Sequence, residues 1–319
     1  MCWGLRYLFL GFSISFPAIV LAGERATPDQ ITALKAQLGL DRPLVWQYFA
    51  FLGSLLQFNL GNSLISGLPI ATEIQTRYPA TFELAIAAML IALALGIPAG
   101  ILAALTKNRW PDHLLMSGSL LGVSLPVYWL GLVLIYLFAV ALKWLPPSGR
   151  ISVDVGLTFR PITGFYFLDA LLQFNLPALG DVLAHLLLPA FTLGTIPLAI
   201  LARITRSAML DALAQDYIRT AQAKGVPAFW VVCQHALKNA LLPISTITGL
   251  QFGTLLGGAI LTETIFAWPG IGGWIYQGIL ERDYPVVQGG VVFVAIAFVL
   301  VNILVDITYA LIDPRVQYK

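Results

Sequence analysis

Three histidines, His113, His185 and His235, and two cysteines, Cys2 and Cys233, are the side chains of this sequence best suited to proton transfer, nucleophilic attack or metal binding. Their spacing supports none of these. The histidines fall in three separate segments with no His-Glu-x-x-His pair, and the cysteines are too few and too scattered for a disulfide framework or a metal site. No paired aspartates occur within one apolar run, as intramembrane proteolysis would need. The glycine-rich Gly253-Thr254-Leu255-Leu256-Gly257-Gly258 lacks a following lysine and is no phosphate cradle. The chain is therefore expected to hold no cofactor and no metal, and any ATP or magnesium it depends on would sit on another chain.

Three acidic residues do lie in or beside apolar runs: Glu83, Glu263 and Asp306. Charge at membrane depth is costly and is by default a functional signal. Each stands near the end of its run, where water or headgroups lower the cost, so Glu83 and Asp306 read as structural. Glu263 differs, because it leads into Trp268-Pro269-Gly270-Ile271-Gly272. Irregular backbone at that depth survives only when buried in protein or lining a cavity, so this turn reads as a re-entrant or gate segment.

The strongest polar signal is an island. Asp216-Tyr217-Ile218-Arg219-Thr220-Ala221-Gln222-Ala223-Lys224-Gly225 runs on through His235 and Lys238 to Pro243, between two apolar segments of membrane length. Met209 to Lys224 favours helix. Gly225 ends it, and Val226-Pro227 cannot continue it. A second helix is expected over Ala228–Ala240. The island thus reads as a helix-turn-helix whose small residues, Ala221, Ala223 and Gly225, let a partner approach closely.

The elements that must position these residues are membrane spans. Hydrophobic residues make up 58% of the chain and charged ones 11%, against about 25% charged in a soluble domain. A span needs about 20 mostly apolar residues. Thr81–Leu105, Leu114–Leu142, His185–Ala202, Leu241–Leu261 and Val286–Ile312 meet that test, and Leu5–Leu21, broken by Ser13, Ser15 and Pro17, is a weaker sixth. The expected fold is an all-α polytopic bundle of about six spans. Arg203, Arg206, Arg219, Lys224 and Lys238 outweigh Asp211 and Asp216, and Lys107 and Arg109 fill another short loop. The loops on the opposite side are balanced or acidic, so the island and both termini face the cytoplasm.

Residues 1–22 form the first, shortened span, residues 23–80 an outer amphipathic segment and residues 81–319 the core with its loop at 203–240. In the outer segment, Thr27-Pro28-Asp29-Gln30 reads as a capping box, and Gly39 stops the helix it opens. Pro43–Phe58 carries Trp46, Tyr48, Phe49, Phe51 and Phe58, which suit a membrane interface. Small residues recur every fourth position at Gly249/Gly253/Gly257, Gly96/Gly100 and Gly118/Gly122, a spacing that lets helices approach closely in lipid. Ordinary bundle packing accounts for this spacing; the sharper reading is that the first of these faces meets a second subunit across a pore.

The island resembles the cytoplasmic signature loop of bacterial ABC-importer permeases, whose core is Glu-Ala-Ala-x-x-x-Gly; over Arg219–Gly225 only its second alanine, at Ala221, and its glycine, at Gly225, match. The longer run from Asp216 to Gly225 is similar to the dipeptide/oligopeptide/nickel branch. So are Gly194-Thr195-Ile196-Pro197-Leu198, Arg206-Ser207-Ala208-Met209-Leu210, Leu261 to Gly270, Asp283 to Gly290 and the closing Asp313-Pro314-Arg315. The likeness covers nearly the whole chain from Phe16 and is greatest to the first of two permeases in a dipeptide-type importer. It implies a second permease subunit, two ATPase subunits docked on the signature loops and an extracytoplasmic substrate-binding protein. It also implies that Asp216, Tyr217, Arg219, Thr220, Ala221, Ala223, Lys224 and Gly225 couple to the ATPase, with Ala221 and Ala223 facing its groove. Gly249, Gly253, Gly257, Glu263, Trp268, Pro269 and Gly270 would line or close the pore.

Too few residues precede Ser15-Phe16 to make the full first span this family has; a cleaved leader ending near Leu21-Ala22-Gly23 is the other reading. Dipeptides, longer peptides, glutathione and nickel chelates all fit the resemblance as substrates. The alternative function is an ion-coupled secondary transporter working without ATPases. That would require internal repeats and a charged site at the midplane, and neither is evident.

Overall fold

A computed structural model describes residues 27–29, 32, 36, 41–57 and 59–312. Among them the regular structure is helical, apart from one isolated bridge between Asn62 and Pro69. Leu5–Leu21 and the tail residues Arg315 and Lys319 lie outside the described residues, as does Gln30 of the capping box. The helices are α1 (Leu44–Leu56), α2 (Ile70–Leu105), α3 (Trp110–Ser124), α4 (Val127–Ala141), α5 (Val153–Thr158), α6 (Tyr166–Leu172) and α7 (Leu176–Leu213). They continue with α8 (Asp216–Ala223), α9 (Ala228–Gly257), α10 (Ile260–Ile265), α11 (Ile271–Glu281) and α12 (Tyr284–Ile312).

Four of these, α2, α7, α9 and α12, are long and apolar enough to cross a membrane. The expected straight span Leu114–Leu142 is instead two helices, α3 and α4, bent by 103°. Pro126 is the cause. It cannot donate a helical hydrogen bond, and it drives Leu125 to an extended backbone at φ −77°, ψ 131°. Three other spans begin well before their hydropathy suggests. Helix α2 starts at Ile70 rather than Thr81, carrying Pro79 inside it, α7 starts at Leu176 rather than His185, and α9 starts at Ala228 rather than Leu241. The polar residues Thr72, Glu73, Gln75 and Arg77 hid the first extension, because hydropathy reads apolar content and a helix can outrun it.

The chain divides into two compact units. The first comprises the described residues up to Thr76 together with Trp274–Phe293. Its organising group is the Asp283 carboxylate, which is buried. It accepts from the Ser63 hydroxyl at 2.5 Å and from the amides of Leu64 at 3.0 Å and Ile65 at 3.3 Å. Helix α1 leaves Trp46, Tyr48 and Phe49 exposed, as an interfacial helix would.

The second unit, Arg77–Gly273 with Val294 onward, holds the main core. That core is built largely from alanine: Ala80, Ala85, Ala88 and Ala92 on α2 face Ala190, Leu193 and Leu201 on α7, with Ala236, Ala240 and Ile244 of α9 beside them. Small side chains bring the backbones into contact, which is how helices associate where lipid offers no hydrophobic gain. At Gly96 an added Cβ would lie 2.8 Å from the Leu198 carbonyl oxygen, and at Gly194 one would lie 2.6 Å from that of Ala88.

Candidate functional site

The island forms a separate short helix, not an extension of its neighbour. Helix α7 ends at Leu213, Gln215 turns extended, and α8 begins at Asp216. At its far end the Gly225 amide donates to the Gln222 carbonyl at 2.9 Å and the Val226 amide to that of Ala221 at 3.2 Å. This pair of bonds is the Schellman arrangement, and it needs a left-handed residue, which Gly225 supplies at φ +75°. A Cβ there would meet nothing within 4 Å, so the glycine is required by backbone angle and not by space. The expected second helix, Ala228–Ala240, is not separate: it is the first part of span α9, wound as a π-helix over Val231–Ala236.

Helix α8 has two faces. Ile218 and Ala221 point into the core, Ala221 being only 7% exposed. The expectation that Ala221 faces a partner is therefore corrected, because its methyl fills the space between α8 and the bundle. Asp216, Tyr217, Arg219, Thr220, Ala223, Lys224 and Gly225 are exposed. Two exposed residues just beyond the turn escaped the sequence reading: Phe229 and Trp230, whose rings meet edge to face at 5.7 Å between centroids. Adjacent large aromatics behind a helix-starting Pro227, in a polar island, were the available signal.

Two braces hold this end of the unit. Asn239 of α9 donates to the Tyr217 hydroxyl at 3.0 Å and to the His235 carbonyl at 2.8 Å. The Arg206 guanidinium grips Asp112 with two bonds of 2.6 Å, joining the start of α3 to the last turns of α7. Asp112 is buried and also accepts from the Asn108 amide at 3.0 Å. The sequence showed Arg206 as a loop charge and as the head of a family-like motif, without its partner Asp112.

At the other end of α2, Glu263 is 1% exposed and faces no open space. Its carboxylate accepts from the Thr81 hydroxyl at 2.7 Å and from the Gly273 amide at 2.7 Å. The Thr81 oxygen in turn accepts from the Ile271 amide at 2.8 Å, and the Trp268 indole donates to the Ala80 carbonyl at 2.8 Å. Gly270 stands where any Cβ would collide with the Glu263 carboxylate. Glu263, Trp268 and Gly270 are thus knotted into the chain, and only Pro269 among the turn candidates is exposed. On α9, Gly249 is buried, Gly253 packs against Phe298 and Asn302 of α12, and Gly257 alone is open.

Residues 96–318 match the family described as binding-protein-dependent transport system inner membrane component, and residues 5–85 match its N-terminal companion. The chain belongs to this family. It is a permease subunit of a binding-protein-dependent ABC importer and a multi-pass membrane protein, not an ion-coupled secondary transporter. It is 50% identical over 304 residues to a di/tripeptide transport system permease protein of Pseudomonas aeruginosa, covering 95% of this chain and 90% of that one. The dipeptide transport system permease protein of Escherichia coli is 45% identical over 317 residues, covering 99% and 94%. A glutathione transport system permease protein of Escherichia coli is 39% identical over 315 residues, covering 99% and 93%.

Proposed function

We propose that this chain carries dipeptides, or closely related small solutes, across the inner membrane, driven by ATPases on separate chains. The relatives named for di/tripeptides and for dipeptides are more similar to it than the relative named for glutathione, which favours short peptides over glutathione itself. The excess of lysine and arginine at the α8 end orients that end, and both termini, toward the cytoplasm. Two ATPases dock there, one of them on this chain. A second permease completes the pore, and an extracytoplasmic binding protein delivers the solute.

The observation that carries the coupling role is the two-sidedness of α8. Its inner face is packed into the core through Ile218 and Ala221, and its outer face is polar and exposed. A push on the outer face is transmitted to α7 and α9, against which the inner face rests, with Tyr217 tied directly to α9.

The test is a Gly225→Trp variant, compared with the parent chain in membranes that express the partner genes. The tagged parent should co-purify with two ATPases and a second permease, identified by mass. The open space around Gly225 lets the tryptophan project where a docked partner would sit, and the left-handed backbone costs a side chain there about 1–2 kcal/mol, a local strain too small to unfold the bundle. The variant should therefore reach the membrane in normal amount while dipeptide uptake falls at least tenfold. Recovery of the parent chain alone, or normal uptake by the variant, overturns the proposal.

A further inference from the structure

The notable feature outside the coupling helix is a buried cation, Arg150, at the opposite end of the second unit. It is 6% exposed, and it lies in the loop that precedes α5. Its guanidinium bonds the Glu83 carboxylate of α2 through Nε at 3.1 Å and through a terminal nitrogen at 2.5 Å. The same terminal nitrogen reaches the Gly164 carbonyl at 2.8 Å. Its central carbon lies 3.8 Å from the Tyr166 ring centroid and 5.8 Å from that of Trp268. A single fork thus touches the loop, α2 at Glu83 and the turn before α11. Aromatic faces on two sides stabilise the cation that Glu83 neutralises.

The loop it belongs to has little freedom of its own. Asp169 is fully buried and accepts from the amides of Ile162, Thr163 and Gly164, each at 3.0–3.1 Å, and from the Thr163 hydroxyl at 2.7 Å. Asp181 of α7 holds Ser152 through its amide and its hydroxyl, both at 2.6 Å. The loop's hydrogen bonds to α2 and the turn run from Arg150 to Glu83, from the Phe167 amide to Glu83 at 2.6 Å, and from the Gly149 amide to the Phe266 carbonyl at 2.8 Å. Thr81 and Glu263 continue the seam from α2 into the turn. Such a chain of satisfied buried groups has few alternative arrangements, so its parts move together or not at all.

We infer that Arg150 is a positioning residue of the transport cycle, locking the 149–167 loop, the Thr81–Glu83 stretch of α2 and the Phe266–Gly273 turn into one body that must move as a piece when the outer end of the permease opens and closes. The inference rests on the importer reading for its consequence in transport, and on geometry alone for the lock. No solute need touch Arg150. Its role is to keep the Trp268–Gly273 turn in register with α2 while the two are displaced.

The experiment uses the assembled importer with Arg150→Lys, and with the paired Arg150→Met and Glu83→Gln, which leaves no unpaired buried charge and so keeps the chain folded. Two readings are taken. The first is dipeptide uptake per ATP hydrolysed. The paired variant should assemble in normal amount and hydrolyse ATP without substrate within twofold of the parent. Its uptake per ATP should fall at least tenfold, with Arg150→Lys in between. The second is amide hydrogen exchange. The amides of Gly149 and Phe167 should exchange at least tenfold faster, and so should those of Trp268 and Ile271 across the seam, while α8 is unchanged. Unchanged exchange at Trp268 and Ile271, or uptake per ATP equal to the parent's, overturns the inference. If the parent complex itself fails to carry dipeptides, the functional proposal falls, and the exchange reading still decides the lock.

Discussion

Glycines 270 and 273 both neighbour the Glu263 carboxylate, yet they should respond to substitution in opposite ways. A Cβ on Gly270 would occupy the same space as the carboxylate, whereas one on Gly273 would sit 3.7 Å away, an ordinary contact. Gly270→Ala should therefore expel Glu263 from its bonds with Thr81 and Gly273, at a cost of about 1–3 kcal/mol for the overpacking alone. Gly273→Ala keeps its amide donor and should lie within about 0.5 kcal/mol of the parent. A denaturant titration of the detergent-solubilised chain measures both, and equal effects would contradict the geometry. Sequence alone singled out Glu263 as a costly charge before a Pro-Gly turn. It could not name Thr81, 182 positions away, because a contact of that separation leaves no trace in spacing. The same limit applied to Ala221 and Ala223. Both are small and lie in one short polar stretch, and only the packing of α8 shows that one is inside and the other out.

At the scale of the element, the ends of helices carry the information that hydropathy misses. Gly225 was legible as a stop because a glycine with a proline two residues on, at the end of a helix-favouring run, has few other meanings. The break at Gln215 and the run of α9 from Ala228 straight into the membrane were not legible, since helix-favouring residues fill both stretches and tertiary packing decides where one helix yields to another. The Asp112–Arg206 fork is the clearest case. It fixes the first turn of α3 against the last turns of α7, next to α8. Arg206→Ala would leave Asp112 charged, buried and half satisfied, a loss of about 3 kcal/mol, toward the lower end for such pairs because Arg206 is partly exposed. Adding Asp112→Asn should recover part of it, since the residual amide carries no charge. The double-mutant cycle measures the coupling, which should be about 1 kcal/mol or more. Additive effects of the two changes would show that the fork does not join the helices.

At the scale of the second unit, α2 and α7 are the two rods that run from the Glu263 knot to the α8 end, and their glycines decide whether they act as one. Glu83 and Leu105 lie about 33 Å apart along α2, close to the thickness of a bilayer core. Gly96 and Gly100 read in the sequence as the same signal as Gly118 and Gly122, for each pair is spaced by four. Spacing fixes only that two small residues share a helix face; it does not fix what the face meets. At Gly100 an added Cβ would lie 2.6 Å from the Ala202 carbonyl oxygen and 2.5 Å from the Thr205 Cβ, so the backbones themselves would have to separate. At Gly118 it would meet nothing within 4 Å of this chain. Gly100→Ala should thus destabilise the isolated chain by about 1–3 kcal/mol, since neither neighbour is the far end of a flexible side chain that could swing aside. Gly118→Ala should leave it unchanged or slightly more stable, alanine being the better helix former by about 1 kcal/mol. In the assembled importer, Gly100→Ala should also lower dipeptide uptake more than ATP hydrolysis, because rods that no longer touch along their length pass less of the displacement of α8 to the far end. If Gly100→Ala left both stability and uptake intact, the α2–α7 contact could not be the path by which the two ends of this subunit are joined.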